Sequence, residues 1–375
     1  MNLGKPILFS TSEYGYLKAQ MLKSRRFVDG QIARSVARDG TANLADVPFP
    51  DGERYHRLLT DVVDREVILV GGTVSDRATM ELLDIGTGLV MEGAARLKLV
   101  LPYFGYATME RAILPAELVK AKIRAMQLSA IPRGAMANWA YMLDLHSEGI
   151  PSYFENGVIT RHIYAKSLVI SAVEAAARSW QRTSSHKLSD GSTCGGELGT
   201  KLRVRQLNCH APNVDDVLSG TGDFKLNDFT VASTDAGRAK WVESLCRDMV
   251  KLKLPVHPAF IIKRRISGSE TVVADISADV KGKLVVIYDD MIRTGGSAIA
   301  AAKAYLAKGA LAVILISTHG VLPGDSKQKL RDSGCFHSVI VSDSHPRAVE
   351  LADDFLHVIP TAQLLVDSVL GAKGK

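Results

Sequence analysis

The stretch Leu284–Ser297 reads LVVIYDDMIRTGGS and decides the fold class of this chain. Its opening run LVVIY is short, apolar and rich in β-branched residues, a pattern typical of a buried parallel strand rather than a helix. Two adjacent acids follow, then a glycine-bearing turn and the alanine-rich segment AIAAAKAYLAKGA, which has helical composition. A strand, a turn and a helix in this order predict an α/β fold with a ligand site at the carboxyl end of the strand.

The turn suits an anionic group, because free backbone N–H groups and the positive end of the helix dipole converge there. Asp289 and Asp290 at the strand end can accept hydrogen bonds from vicinal ribose hydroxyls, or hold a Mg²⁺ that bridges a diphosphate. The stretch therefore predicts a site for a ribose 5-phosphate group. The alternative is an ordinary turn between a strand and a helix that binds no ligand, since a single glycine-rich turn is a weak signal.

Strand-like and helical runs alternate on both sides of this stretch. Strands are predicted at REVILVGG, RLKLVLPYFG, NWAYMLDLH, DFTVAST, AFIIKRR, KLVVIYDD, LAVILIST and HSVIVSDS. Helices are predicted at DRATMELLDIGTGLVMEG, PAELVKAKIRAMQ and AQLLVDSVL. The chain has 375 residues, which is enough for two α/β domains that each bury a core. We expect an α/β protein with two doubly wound domains.

Composition excludes several classes of protein. The formal net charge of +6 is modest and no basic run stands out, so nucleic acid is not an expected partner, whereas small anionic substrates are. The four cysteines, at positions 194, 209, 246 and 335, form no CxxC pair, which argues against a zinc site or a disulfide framework. No apolar stretch approaches the roughly 20 residues of a membrane span. A cytoplasmic protein without membrane partners is the expectation.

Several motifs of this chain together resemble those of known protein families. Leu284–Ser297 resembles the phosphoribosyl pyrophosphate (PRPP) loop of type I phosphoribosyltransferases (PRTases) and ribose-phosphate pyrophosphokinases. Five further segments resemble those of the pyrophosphokinases, also called PRPP synthetases: FPDGE at 49–53, KLVLPYFGYATMER at 98–111, YMLDLHSEGIPSYF at 141–154, IIKRR at 261–265 and THGVLPG at 318–324. The transferases lack the FPDGE and DLH segments. The chain is therefore identified as a divergent member of the PRPP synthetase family.

The resemblance implies two doubly wound type I PRTase-like domains. We expect the first at residues 1–160, completed by 361–375, and the second at 161–360. Residues 178–228 are polar and Gly/Ser-rich where the family has a brief connection. Compact domains seldom carry so long a segment without structure or purpose, so it is either a solvated surface insertion or a substrate-specific lid or oligomer contact.

The resemblance also implies the reaction. The C1 hydroxyl of ribose 5-phosphate would attack the β-phosphorus of ATP, a co-substrate used with Mg²⁺, giving PRPP and AMP. Chemistry of this kind depends on positioning and on neutralising developing charge. Homodimers or homohexamers are expected, because the adenine loop of the family completes the site of a neighbouring subunit.

The positions of these family motifs imply which residues form the site. The catalytic cations on the mobile loop would be Lys263 and Arg265. ATP would contact Phe49, Asp51, Glu53, Thr108, Met109, Arg111 and His146. The ribose phosphate would contact Asp289, Asp290, Arg293, Thr294, Gly295, Gly296 and Ser297. The pyrophosphate loop would comprise Asp235, Gly237 and Arg238, and the metal ligands would be His146, beside Asp144, and Asp235. Phe49 suits a core position equally well, and a lone histidine such as His146 is more often structural.

Departures from the family pattern suggest a specialised member. YATMERA, at 106–112, stands where the family has YARQDRK, so Thr108 and Met109 replace an Arg and a Gln expected on ATP. Loss of that arginine removes a charge-assisted donor. Arg293 stands where the family usually has Asp, which suits a more negatively charged acceptor. One alternative is pyrophosphorylation of ADP-ribose in NAD reconstitution. Another is a catalytically inactive regulatory partner of active synthetases, although the retained Lys263, Arg265, His146, Asp289 and Asp290 argue against it.

Overall fold

The computed structural model describes residues 3–36, 40–187, 226–234, 236–265 and 271–371, with the backbone alone at 183–187, 236, 262–265 and 271–275. Most of the insertion predicted at 178–228 lies outside these ranges. The chain divides into two compact units. The first comprises Met1–Tyr164 with Thr361–Lys375, and the second comprises Ala165–Pro360.

The first unit is built on a six-stranded sheet and also contains two short two-stranded ladders. The described strands of the unit are β1 (Ile7–Ser10), β2 (Val28–Asp29), β3 (Ile32–Ala33), β4 (Ser35–Val36), β5 (Ala42–Asn43), β6 (Arg57–Leu58), β7 (Glu66–Val70), β8 (Arg96–Leu101), β9 (Trp139–Leu143) and β10 (Ile159–Ile163). The sheet order is β10-β9-β8-β7-β1-β2 with every neighbouring pair parallel. β3 with β6 and β4 with β5 form short antiparallel ladders. The central strands are buried along their length, as parallel strands covered on both faces are.

Helices connect these strands. They are α1 (Gly15–Leu22), α2 (Asp76–Met91) and α3 (Lys120–Ser129). α2 begins where predicted, because the Ser75 side chain accepts a hydrogen bond from the backbone N–H of Ala78 and caps the helix. α3 begins at Lys120, so its prediction from Pro115 was wrong for the first turn. There the N–H groups of Ile113 and Leu114 donate to the Glu117 carboxylate, which holds a loop in place of a helix.

The second unit has the same architecture. Its strands are β11 (Phe229–Ser233), β12 (Val256–Ala259), β13 (Ile261–Arg265), β14 (Thr271–Ile276), β15 (Leu284–Ile292), β16 (Ala312–Gly320), β17 (Ser338–Ser342) and β18 (Leu356–Ile359). Its helices are α4 (Lys166–Lys187), α5 (Ala239–Lys251), α6 (Gly296–Ala307), α7 (Ser326–Asp332) and α8 (Pro346–Glu350). The sheet order is β12-β11-β15-β16-β17-β18, again with parallel neighbours.

One predicted strand, AFIIKRR, is divided in the structure. β12 ends at Ala259, and β13 pairs antiparallel with β14 in a separate two-stranded ribbon. Phe260 lies at the break, where its N–H donates to Ser277 Oγ at 2.9 Å and its carbonyl accepts from the Ser277 N–H at 3.0 Å. The prediction of a single strand was wrong, because these two bonds turn the chain out of the parallel sheet.

The C-terminal helix α9 (Ala362–Leu370) belongs to the first unit and packs on α1. Lys98 lies on β8 and its Nζ donates to the Val369 carbonyl at 3.1 Å. The same ammonium pairs with the Glu66 carboxylate of β7 at 2.9 Å, and both side chains are about nine-tenths buried. A charge buried to this extent is stable only when it is paired, so Lys98 ties the last helix to the sheet.

Both sheets follow the doubly wound strand order 2-1-3-4-5-6 when their strands are numbered along the chain within each sheet. The predicted fold class is thereby confirmed. In such sheets the direction of winding reverses between strands 1 and 3, and ligands bind outside the carboxyl ends of those strands. In the second unit this switch point lies between β11 and β15. Among the described helices, none combines the length and the apolar composition needed to cross a bilayer.

Candidate active site

The two acids of the opening stretch lie at the switch point of the second unit. Asp289 accepts a hydrogen bond from Thr234 Oγ1 at 3.0 Å, and Thr234 directly follows β11. The other oxygen of the Asp289 carboxylate accepts the backbone N–H of Asp290 at 2.9 Å. Arg238 brings its Nη2 to 2.6 Å from Asp290 Oδ2. The site is therefore a pair of carboxylates, each held by a donor from the segment that follows β11.

Burial sets the electrostatics of this pair. Asp290 is only 3% exposed. The pKa of Asp289 is raised to about 7, first by burial and second by the adjacent Asp290, while Thr234 and Arg238 act in the opposite direction. Two neighbouring carboxylates in a poorly solvated site resist carrying two full charges together. The Asp289 carboxyl is therefore a weaker acid than an exposed aspartate.

Aromatic side chains fix the strand that carries the acids. Trp241 of α5 stacks on Tyr288 of β15, with ring centroids 3.9 Å apart and planes inclined by 10°. The Tyr288 hydroxyl shares a 3.1 Å hydrogen bond with Thr318 Oγ1 of β16. Tyr305 of α6 donates its hydroxyl to the Ser233 carbonyl at 3.2 Å. These contacts hold the ends of β11, β15 and β16 in register around the acidic pair.

The turn after β15 presents the predicted phosphate-binding residues. Arg293, Thr294, Gly296 and Ser297 are exposed, whereas Gly295 is buried. Gly295 caps α6 with a φ of +79°, in the left-handed region that favours glycine. The first N–H groups of α6 have no partner within the helix, as at any helix start, so the exposed turn suits an anion.

Replacing Gly295 with alanine is expected to destabilise the second unit by about 1–3 kcal/mol and to weaken phosphate binding, because a left-handed φ strains any residue with a Cβ. The new Cβ would also lie 2.8 Å from Leu330 Cδ2. Urea unfolding and calorimetric titration with inorganic phosphate measure the two effects. Gly296→Ala is the stability control, since its Cβ would meet nothing closer than 4.0 Å. Equal stability of the two variants would contradict the expectation.

The remaining predicted residues of the second unit have the following positions. Gly237 and Arg238 lie in the short 3-10 turn Ala236–Arg238, and Arg238 is brought to the acidic pair. Asp235 is outside the described residues. Lys263 and Arg265 lie on β13, where Lys263 pairs with Val273 and Arg265 with Thr271 across the ribbon.

In the first unit, the DLH segment follows β9 directly. Asp144 is buried and has a φ of +43°, a left-handed conformation that aspartate tolerates better than most residues. Its N–H donates to the Ile163 carbonyl at 2.8 Å, and the Leu145 N–H donates to His162 Nε2 at 2.9 Å. The bend leaves His146 half-buried. Strained backbone at a strand end is frequent at binding sites, and here it re-aims the chain immediately before His146.

The predicted nucleotide segment follows β8. Gly105 packs so closely on Thr73 that a Cβ would lie 2.1 Å from the Thr73 carbonyl oxygen, so only glycine fits there. Beyond it, Thr108 is exposed, Met109 is partly exposed and the Arg111 side chain is 78% exposed. Three of the residues predicted to contact ATP therefore lie on one accessible segment.

The FPDGE segment forms a closed turn. The Phe49 N–H donates to the Glu53 carbonyl at 2.8 Å, and the Gly52 N–H donates to the Phe49 carbonyl at 2.9 Å. Asp51 and Glu53 are exposed. Phe49 is 45% exposed, so the alternative that it is a core residue was wrong. The turn presents an aromatic ring and two carboxylates to the surroundings.

Comparison with known proteins gives the family. Residues 22–131 match the family model for the N-terminal domain of ribose phosphate pyrophosphokinase, and residues 251–371 match the model for the phosphoribosyl synthetase-associated domain. The chain belongs to the ribose-phosphate pyrophosphokinase family. The ribose-phosphate pyrophosphokinase of Caldanaerobacter subterraneus is 28% identical over 349 residues, which cover 91% of this chain and 90% of the relative. That of Gloeobacter violaceus is 25% identical over 323 residues, covering 86% and 80%.

A solved structure agrees with the fold. The crystal structure of phosphoribosylpyrophosphate synthetase from Mycobacterium smegmatis superposes with a TM-score of 0.70 at 23% identity, covering 98% of each chain. The predicted family and its enzyme class are confirmed. The chain is an enzyme of the ribose-phosphate pyrophosphokinase type with two PRTase-like parallel sheets.

The described residues suit a magnesium ion that is held mainly by substrate phosphates. Within the described ranges, no three His, Cys, Asp or Glu side chains converge to form a metal cluster. Mg²⁺ commonly keeps several waters and is held by substrate phosphates with one or two protein ligands. The segment with Asp144 and His146 suits that role. Asp290 does not suit a directly bound cation, because Arg238 already pairs with it.

Sequence reasoning missed three residues that surround the acidic pair: Thr234, Tyr288 and Trp241. Thr234 had a detectable signal, because it ends a predicted strand and a doubly wound order would place that strand beside β15. The stacking of Trp241 on Tyr288 had none, since the two rings are 47 residues apart in a sequence without a pattern that joins them. Arg238 was named for a pyrophosphate loop, but its pairing with Asp290 was not predicted.

Proposed function

We propose that this chain is an ATP- and Mg²⁺-dependent diphosphokinase that transfers the β,γ-pyrophosphoryl group of ATP to the C1 hydroxyl of ribose 5-phosphate, giving PRPP and AMP. The observation that carries the proposal is the acidic pair Asp289–Asp290, held at the switch point beside the Gly295 turn. A diol-binding group and an anion-binding turn on one strand end match a sugar phosphate. Membership of the pyrophosphokinase family supports the same substrate class.

The acceptor would be held at two points. The exposed turn at 294–297 would cradle the 5-phosphate with backbone N–H groups, and the dipole of α6 favours the negative charge. Asp289 and Asp290 would accept hydrogen bonds from the vicinal ribose hydroxyls, which are good donors to carboxylates. Arg293 is exposed beside the turn and adds a positive charge near the phosphate. Fixing both ends of the sugar orients its C1 hydroxyl and lowers the entropic part of the barrier.

In the transfer step, the oxygen of the C1 hydroxyl forms a bond to the β-phosphorus. The bond from that phosphorus to the oxygen bridging the α- and β-phosphates breaks. AMP leaves with the bridging oxygen, and the hydroxyl proton passes to solvent. Magnesium bound with ATP would neutralise part of the phosphate charge, and His146 and Asp235 would be its protein ligands. Lys263 and Arg265 would stabilise the charge that develops on the transferring group.

ATP would be bound by the accessible segments of the first unit. Thr108, Met109 and Arg111 would contact the nucleotide in this chain, and Phe49, Asp51 and Glu53 would contact the adenine of a neighbouring subunit. The exposure of the Phe49 ring supports such a contact. A homodimer or homohexamer is therefore proposed. Light scattering that finds only monomers, with or without ATP, would contradict this arrangement.

The test is a product assay by ³¹P NMR. The protein is incubated with Mg²⁺ and ATP, together with ribose 5-phosphate, ADP-ribose or no acceptor. We expect AMP and PRPP with ribose 5-phosphate and no AMP without an acceptor. AMP formed with ADP-ribose alone would replace the proposal with the specialised function in NAD reconstitution. AMP with neither acceptor would replace it with a catalytically inactive regulatory role.

A further inference from the structure

Arg238 occupies an unexpected position, because it places a positive charge directly on the acidic pair at the switch point. We propose that Arg238 is a built-in counter-ion that prevents a divalent cation from binding directly to Asp289 and Asp290, and so reserves the pair for the hydroxyls of a neutral diol. The assignment of that diol to a sugar rests on the proposed function. The exclusion of the cation does not.

The geometry places this counter-ion directly against Asp290. Arg238 Nη2 lies 2.6 Å from Asp290 Oδ2, and the two side chains are 20% and 4% exposed. An ion pair of this length, shielded from water, is among the stronger polar contacts in proteins. The guanidinium also keeps its proton at every pH at which proteins are folded. Asp290 is therefore neutralised by a residue of its own chain.

Asp289 offers no better ligand for a cation. One of its oxygens accepts the Thr234 hydroxyl and the other accepts the Asp290 N–H. A small divalent cation needs oxygens in near-ideal octahedral positions about 2.0–2.1 Å away, so these hydrogen bonds would have to rearrange. It would also lie within a few ångströms of the guanidinium and be repelled by it. Among the residues with described side chains, no third acid, histidine or cysteine joins the pair to offset this repulsion.

A diol meets neither obstacle. A hydroxyl brings no net charge, donates to a carboxylate and can accept a hydrogen bond from a guanidinium N–H. Carboxylate oxygens accept more than one hydrogen bond, so the hydrogen bond from Thr234 and the ion pair with Arg238 can persist when a diol is bound. The charge of Arg238 therefore lets the acidic pair bind a diol but not a divalent cation. An isolated acidic pair would accept both ligands.

The experiment is a titration with Mn²⁺ alone, in which free Mn²⁺ is followed by electron paramagnetic resonance in the absence of nucleotide and sugar. We compare the wild-type protein with Arg238→Ala, Asp290→Asn and the double variant. Arg238→Ala is expected to add one Mn²⁺ site that the wild type lacks, because one repelling charge is removed. The added site should disappear in the double variant. Arg238→Lys keeps the charge and should resemble the wild type.

Two outcomes would overturn the proposal. One is an Arg238→Ala protein, folded by circular dichroism, that binds Mn²⁺ as the wild type does. The other is a wild-type Mn²⁺ site that disappears in Asp290→Asn, which decides the matter even if Arg238→Ala does not fold. Neither measurement requires turnover. A failed product assay would therefore contradict the proposed function and leave the cation result standing.

Discussion

Lys263→Ala is expected to lower turnover by about two to three orders of magnitude while leaving the stability of the protein nearly unchanged. In the proposed reaction the ammonium acts on charge that develops on the transferring group. Removal of one such preorganised electrostatic contact costs about 10²–10³ in kcat in other enzymes. Lys263 lies on the antiparallel ribbon of β13 and β14, outside the parallel sheet that builds the core of the second unit. The loss should therefore appear in catalysis and not in folding.

Single-turnover and steady-state assays of AMP formation measure this effect. A contact made only in the transition state lowers kcat and kcat/KM together, whereas a contact used for ground-state binding raises KM with kcat unchanged. Arg264→Ala is the matched control, because it removes a positive charge from the same strand at a position to which the family motif assigns no role. Near wild-type turnover of Lys263→Ala, or an equal loss in Arg264→Ala, would remove Lys263 from the catalytic role.

Lys98→Ala should have the largest effect on stability, lowering the free energy of unfolding of the first unit by about 3 kcal/mol. The substitution leaves the Glu66 carboxylate, which is 9% exposed, with Arg96 as its remaining ion-pair partner. It also removes the donor from the Val369 carbonyl near the end of α9. A buried charge that loses a partner is costly, because the protein interior does not replace the lost solvation.

Hydrogen exchange with urea unfolding resolves this effect, because exchange reports on each unit of a two-unit protein separately. Protection should fall first in α9 and β8. Arg77→Ala is the control in the same unit, since its ion pair with Asp46 has a half-exposed arginine and should contribute no more than about 1 kcal/mol. Replacing Lys98 by Met together with Glu66 by Leu should cost less than Lys98→Ala, because no charge is then left buried. Equal losses in all three variants would contradict this account.

Local patterns in the sequence were sufficient for most of the fold. The strand, turn and helix at Leu284–Ala307 form as predicted, because apolar β-branched residues, a left-handed glycine and an alanine-rich segment each favour one backbone conformation without help from distant residues. The start of α2 could be predicted from the sequence for the same reason, since its cap is made by residues within one turn. Prediction from local patterns failed at two places. The division of AFIIKRR depends on the distant residue Ser277. The predicted first turn of α3, from Pro115, is a loop held by the Glu117 carboxylate.

For this protein, the sequence by itself determined the family, the two doubly wound sheets and the positions of the acidic pair and the glycine turn, because motif and periodicity are properties of neighbouring residues. Only the tertiary structure decided which charges meet. Arg238 reaches Asp290 across 52 residues, and Lys98 reaches the last helix across 271. The first contact arises where parallel strands bring their ends to one edge of a sheet, and the second joins a strand to a helix. No local pattern along the chain encodes which side chains become partners there.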